Sequence, residues 1–215
     1  MNREGIKKLL AALAWDELIR LAAVDRRLVR SLLGLLYDAD DYVHWLAVDA
    51  IGRVGGATAA AEPDRVRDLI RRLLWTLNEE SGGSPWGATG AIGAIVAARP
   101  DLFANYLSML CPFHDDVSIY PEFIWSLAAV GRTRPDLTAE YGPFLLAALD
   151  HGHAAVRGYA AWCLGVLRPE GAAAALAARL TDAGAAAVYE GDGVYRQSTV
   201  GALAAASLEK VGLPK

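Results

Sequence analysis

A short apolar motif that ends in a small residue returns down this chain, and it limits the fold more than any other feature. Ala50-Ile51-Gly52, Ala91-Ile92-Gly93, Ser126-Leu127-Ala128, Cys163-Leu164-Gly165 and Leu203-Ala204 align on one another. Their spacing of about 35 to 41 residues is the period of stacked helix pairs. Each copy has the same order: a leucine-rich helix, an acidic or glycine-rich loop, then a second helix carrying the small residue near its end. First helices are expected at Leu28 to Tyr37, Val66 to Leu77, Leu102 to Leu110, Phe144 to Leu149 and Ala172 to Leu180, with leucines three and four apart. Second helices are expected at Tyr42 to Val54, Trp86 to Ala97, Tyr120 to Gly131, Val156 to Leu167 and Val194 to Val211. Each pair can bury its apolar stripe only against the next, so the core should run continuously along a curved stack.

The expected architecture is therefore all-α: one α-α superhelix spanning 1–215, with an N-terminal cap at 1–24 and about five helical-hairpin repeats at 25–56, 63–98, 100–134, 137–168 and 169–212. The cap reads as Ile6 to Ala14 and Asp16 to Ala23, with Asp16 placed to cap the second piece. Two repeats share their exit, since Arg99-Pro100-Asp101-Leu102 and Arg134-Pro135-Asp136-Leu137 are the same tetrapeptide. A proline there ends one helix and can open the next. At 215 residues and 54% apolar content the chain can bury a full core. Gly184 to Gly193, rich in Ala and Gly, is expected to be a thin and mobile loop.

Charge and cysteine usage exclude several functions. A net charge of -4 argues against a nucleic-acid or anionic-lipid footprint. Arg65, Arg67, Arg71 and Arg72 are interleaved with Asp64 and Asp68, which at helical spacing reads as a solvated, ion-paired face. The two cysteines, Cys111 and Cys163, lie far apart and form neither a disulfide framework nor a zinc knuckle, so a reducing cytoplasm is the expected home. The apolar run after Lys7-Lys8 meets Asp16-Glu17 too early for a signal peptide, and no run has the length of a membrane span.

Val156-Arg157-Gly158-Tyr159-Ala160-Ala161-Trp162-Cys163-Leu164-Gly165, behind Leu149-Asp150, resembles a HEAT repeat of the PBS lyase HEAT-like class. Leu36-Tyr37-Asp38, Trp45, Ala50 to Arg53, Val66 to Trp75, Asn78 to Gly83 and Trp86-Gly87-Ala88 resemble uncharacterised HEAT repeat proteins associated with anaerobic bacteria and archaea. The resemblance covers most of residues 16–170, and the Asn78 to Gly87 segment is its most specific part. It implies acidic residues shortly after Trp86, where this chain carries Gly90 and Ala94. It also implies a structural Asp/Arg ladder, matched here by Asp150 with Arg157 and Asp192 with Arg196.

The candidate site is the loop from Trp75 to Trp86. Asn78, Glu79, Glu80 and Ser81 offer hydrogen bonds and charge, Gly82 and Gly83 admit a partner to the backbone, and tryptophans stand at both edges. The same residues can also serve as a helix end and a cap, with Ser84 capping and Pro85 in the first turn. Trp45 and Trp86 occupy one repeat position ahead of Gly52 and Gly93, so they should be neighbours, either lining a pocket or packing the core. The four histidines, His44, His114, His151 and His153, fall beside loops with acids such as Asp115, but no ligand spacing is present and no metal or other cofactor is expected. Phosphate loop, dinucleotide fingerprint and nucleophile elbow are all missing.

These readings converge on a non-catalytic scaffold or adaptor. It would hold a protein partner on its concave face and the Trp75 to Trp86 edge, and would itself be a monomer or weak homodimer. The alternative is a HEAT-class enzyme or carrier with a small molecule or metal at the same edge. A nucleic-acid repair role would need a concave face more positive than the composition suggests.

Overall fold

The computed structural model describes residues 2–77, 86–113 and 117–212. Among them the chain is mostly helical (71%), with twelve α-helices and one C-terminal two-stranded hairpin. The helices run α1 (Arg3–Ala11), α2 (Trp15–Val24), α3 (Arg27–Leu35), α4 (Asp41–Ala59), α5 (Pro63–Leu77), α6 (Ala88–Ala98), α7 (Pro100–Phe103), α8 (Tyr120–Gly131), α9 (Gly142–Ala148), α10 (Ala154–Leu167) and α11 (Ala172–Ala177). Strands β1 (Ala185–Gly191) and β2 (Val194–Thr199) follow, and α12 (Val200–Val211) ends the fold.

Starts and stops follow from local chemistry. Asn2 accepts the Gly5 amide and opens α1, and Asp40 accepts the Tyr42 amide and opens α4. Asp16 does not cap α2, which begins a residue earlier at Trp15; its carboxylate sits in the first turn, where it still meets the positive helix end. In both Arg-Pro-Asp-Leu exits the arginine bridges its aspartate through two hydrogen bonds and proline opens the next helical segment. The helix expected over Leu102 to Leu110 is instead broken into α7 and two 3-10 segments, Ala104–Tyr106 and Ser108–Phe113.

Helices α4, α6, α8, α10 and α12 pack one on the next, and α3, α5, α9 and α11 each pack against members of this row. In the middle of the row α6 is buried from Ala88 through Val96, which explains why its sequence is apolar on every face. Glycine sets the spacing. A Cβ on Gly93 would fall 1.9 Å from Ser126 Oγ on α8, and one on Gly165 would fall 2.5 Å from Ser207 Oγ on α12. The glycines of the sequence period are thus helix contact points.

The last segment departs from the all-α expectation. Residues 185–199 form an antiparallel hairpin that pairs Val188 with Arg196 and Tyr189 with Tyr195, and the helix begins at Val200 instead of Val194. β-Branched and aromatic residues flank Asp192-Gly193, both at positive φ (51° and 77°), the backbone geometry of a tight hairpin turn. Gly184 to Gly193 is accordingly an ordered strand and turn. β1 lies against α4, α8 and α10.

The Asp/Arg pairs also differ from those the resemblance implied. Arg157 bridges Asp182 at 2.7 and 3.1 Å, and donates to the carbonyls of His151 and Gly152. Asp150 pairs with Arg179, Asp192 with Arg53, and Arg196 with Glu190.

Asp38 ties α1 to the turn before α4. It is 7% exposed and receives Lys7 Nζ at 2.6 Å and Arg3 Nη2 at 2.8 Å. The Lys7 bond, helped by Arg3 and the Asp40 amide, outweighs burial and lowers the carboxyl from its ordinary 3.8 to about 2. A lowered folded value means that this stabilisation is complete above 3.8 and is lost as pH falls through about 2. Asp38→Asn is expected to cost about 1–2 kcal/mol at neutral pH. In urea titrations the gap between variant and wild type should close between pH 4 and pH 2, about the span of the shift.

Among the described residues no helix is long and apolar enough to cross a membrane.

Candidate interaction site

Helix α4 brings His44, Trp45, Asp49 and Arg53 onto the middle of the fold. His44 is 1% exposed and its Nδ1 lies 2.7 Å from the Leu36 carbonyl. Only an N–H can meet a carbonyl there, so the proton is assigned to Nδ1 and Nε2 turns toward Glu122, 3.6 Å away. Burial lowers the His44 pKa, against the opposing pull of the Leu36 carbonyl and Asp41.

Glu122, 2% exposed, comes from the first turn of α8. Its Oε1 accepts the Gly87 amide at 2.8 Å and its Oε2 the Gly90 amide at 2.9 Å. Helix α6 has no side-chain cap of its own; its N-cap is Gly87 at φ 82°. Glu122 therefore caps α6 from the neighbouring helix, where a carboxylate also meets the helix dipole. Acidic residues were implied just after Trp86, and the carboxylate that serves this end is supplied instead by α8. Gly87 is required twice over: by its φ, and because a Cβ would fall 2.7 Å from Leu36 Cβ.

The two repeat-position tryptophans meet on His44. Trp86, half-buried, stacks on the imidazole at 5.2 Å and 27°, and Trp45 meets it edge-on at 5.3 Å. Trp45 is 6% exposed. Tyr189 of β1 stacks on it at 5.5 Å and 12°, Tyr159 at 5.6 Å, and Trp125 tilts against it at 5.3 Å. Trp45 is thus no exposed anchor: the chain's own hairpin covers it. Tyr189 donates its hydroxyl proton to Asp49 Oδ2 at 2.7 Å and accepts the Gly193 amide, while Asp49 also accepts the Asp192 amide. Burial, reinforced by the Asp49 charge, pushes the Tyr189 phenol far up, so it remains a donor.

Trp75 behaves differently. It stands near the end of α5, 69% exposed, and Tyr37, in the turn before α4, is 53% exposed. Asn78, Glu79, Glu80, Ser81, Gly82 and Gly83, with Ser84 and Pro85, lie outside the described residues, as do His114 and Asp115. Among the described residues no three metal-ligating side chains come together. His151 and His153 are adjacent, but His151 Nδ1 accepts the His153 amide at 3.1 Å. Cys163 is fully buried, and burial raises its thiol pKa.

Glu122, Asp49, Tyr159 and Tyr189 were missed by the sequence reading. For Tyr189 a signal existed, the Asp-Gly pair between β-formers; for Glu122 none did, because its partners are backbone amides.

Comparison with known proteins adds little to this geometry. No family model matches the chain, and no solved structure matches it. It is similar to an uncharacterised protein of Archaeoglobus fulgidus, 26% identical over 93 residues, which is 43% of this chain. The matched stretch spans about half (48%) of that protein's own length.

Proposed function

We propose that this chain is a non-catalytic, HEAT-like helical scaffold of the cytoplasm that binds a protein partner along the edge where its helix-pair turns line up. The row α4, α6, α8, α10, α12, with glycine contacts at repeating positions, supports the repeat reading. The observation that carries the binding reading is Trp75. A tryptophan 69% exposed is a rigid aromatic anchor of the type that dominates protein interfaces, and Tyr37 is a second aromatic exposed on the surface. Half-buried Trp86, on the buried His44–Glu122 pair, holds that edge in shape. Trp45, closed under Tyr189, takes no part in it, and the partner is met on the edge and not on the row's inner face.

A photo-reactive benzoylphenylalanine at position 75 or 37 is expected to give one discrete protein adduct in native cells, and the same residue at Glu209, exposed on α12, is expected to give none. Trp75→Ala should reduce the position 37 adduct at least tenfold, the loss typical of a central aromatic anchor. Identical labelling at 37, 75 and 209 would refute the assignment.

A further inference from the structure

Helices α3, α4 and α5 do not close fully on one another. Between them lies a cavity of about 360 Å³, within the range of small-molecule pockets. Its floor is aliphatic: Leu32, Ile51, Val54 and Val66 line it and are 0–3% exposed. Its rim is cationic. Arg26 and Arg30, one turn apart on α3 and its cap, face Arg65 and Arg72, two turns apart on α5, with Asp68 the single acid among the lining residues.

On a chain of net charge -4 this concentration of arginine runs against the composition. Most of the α5 arginines are paired as their spacing predicts, Arg67 with Asp64, Arg71 with Asp68 and Arg65 with Glu62. Glu62 is also the partner of Arg26, at 3.8 Å. Arg30 and Arg72 have no ion-pair partner among the described residues. The rim therefore has two uncompensated guanidinium groups above an apolar floor. Guanidinium forks match carboxylate and phosphate oxygens.

We propose that this cavity binds a single-chain amphiphilic anion, its alkyl tail on the aliphatic floor and its carboxylate or phosphate head at Arg30 and Arg72. Trp75, one turn beyond Arg72 on α5, does not line the cavity, and the proposal stands whether or not the Trp75 edge binds a protein.

Calorimetric titration at low salt with hexanoate, octanoate, decanoate, decyl phosphate, decanol and decyltrimethylammonium tests it. One anion per chain is expected, with affinity rising up to about fourfold per added methylene, the value of burying a CH₂. Decanol should bind at least tenfold more weakly than decanoate, and the cation should not bind. The double variant Arg30→Ala, Arg72→Ala should weaken the anions at least tenfold without changing decanol. Val29→Trp, filling the cavity from a half-buried wall, should abolish binding of both. Arg20→Ala, whose guanidinium pairs with Glu17 on α2, should leave every affinity unchanged. A preference between decanoate and decyl phosphate identifies the head group. Affinity independent of chain length, equal binding of the cation, or full retention of binding by the double arginine variant would overturn the proposal.

Discussion

Replacing Glu122 with alanine is expected to destabilise the protein by about 3–5 kcal/mol, the cost of removing one member of a buried, charge-assisted hydrogen-bond set. The Gly87 and Gly90 amides would lose their acceptor at a site 2% exposed, and the α6 N-terminus would lose its only described capping carboxylate. Glu122→Gln separates shape from charge. Its amide can present one oxygen to one glycine, so its NH₂ must face the other donor, and it should lose about 1–3 kcal/mol. Urea denaturation at neutral pH gives both numbers. A Glu122→Ala midpoint equal to wild type would show that α6 does not depend on this cap. Because Trp86 precedes α6 and stacks on His44, the variant should also shift tryptophan fluorescence before global unfolding.

The second large effect is expected at Tyr189. This side chain is fully buried, so Tyr189→Ala should cost about 3–5 kcal/mol, the range for deleting a core aromatic ring. It would also uncover Trp45. Tyr189→Phe keeps the ring on Trp45 and removes only the hydroxyl between Asp49 and the Gly193 amide, so about 1–2 kcal/mol is expected. Near-ultraviolet circular dichroism distinguishes them: the phenylalanine variant should retain the aromatic signal and the alanine variant should lose part of it. If both variants cost the same, the hydroxyl network and not ring stacking holds the hairpin.

These two residues show where the sequence was legible. Helix α8 spans Tyr120–Gly131, the bounds its apolar run gives in the sequence, and the glycines of the period sit where helices touch. Such features are local: their meaning depends on residues a turn away. The hairpin was hidden because Ala185 to Ala187 continue an alanine-rich stretch that favours helix, and two strands with one Asp-Gly turn are a brief signal beside it. The burial of Trp45 was hidden for another reason. Aromatic periodicity places a ring on the helix, but whether a segment some 140 residues later covers it is decided by the whole topology. Trp75 and Trp86, alike as loop-edge tryptophans in sequence, differ in the structure: Trp86 lies half-buried on the His44 ring and Trp75 is 69% exposed.

The hairpin tip has a further consequence for how the molecule comes apart. In a linear array each helix pair senses only its neighbours, so the ends can fray while the middle stands. Here Asp49 and Arg53 on α4 grip Tyr189 and Asp192, and Tyr42 donates to the Gly193 carbonyl, across sequence separations of 139 to 151 residues. Such contacts raise the contact order and join the early helices to the last pair as one cooperative unit. The row is thereby cross-braced: its length is fixed, since a helix pair added or removed between α4 and β1 would pull the clasp out of register, and its two halves should unfold together.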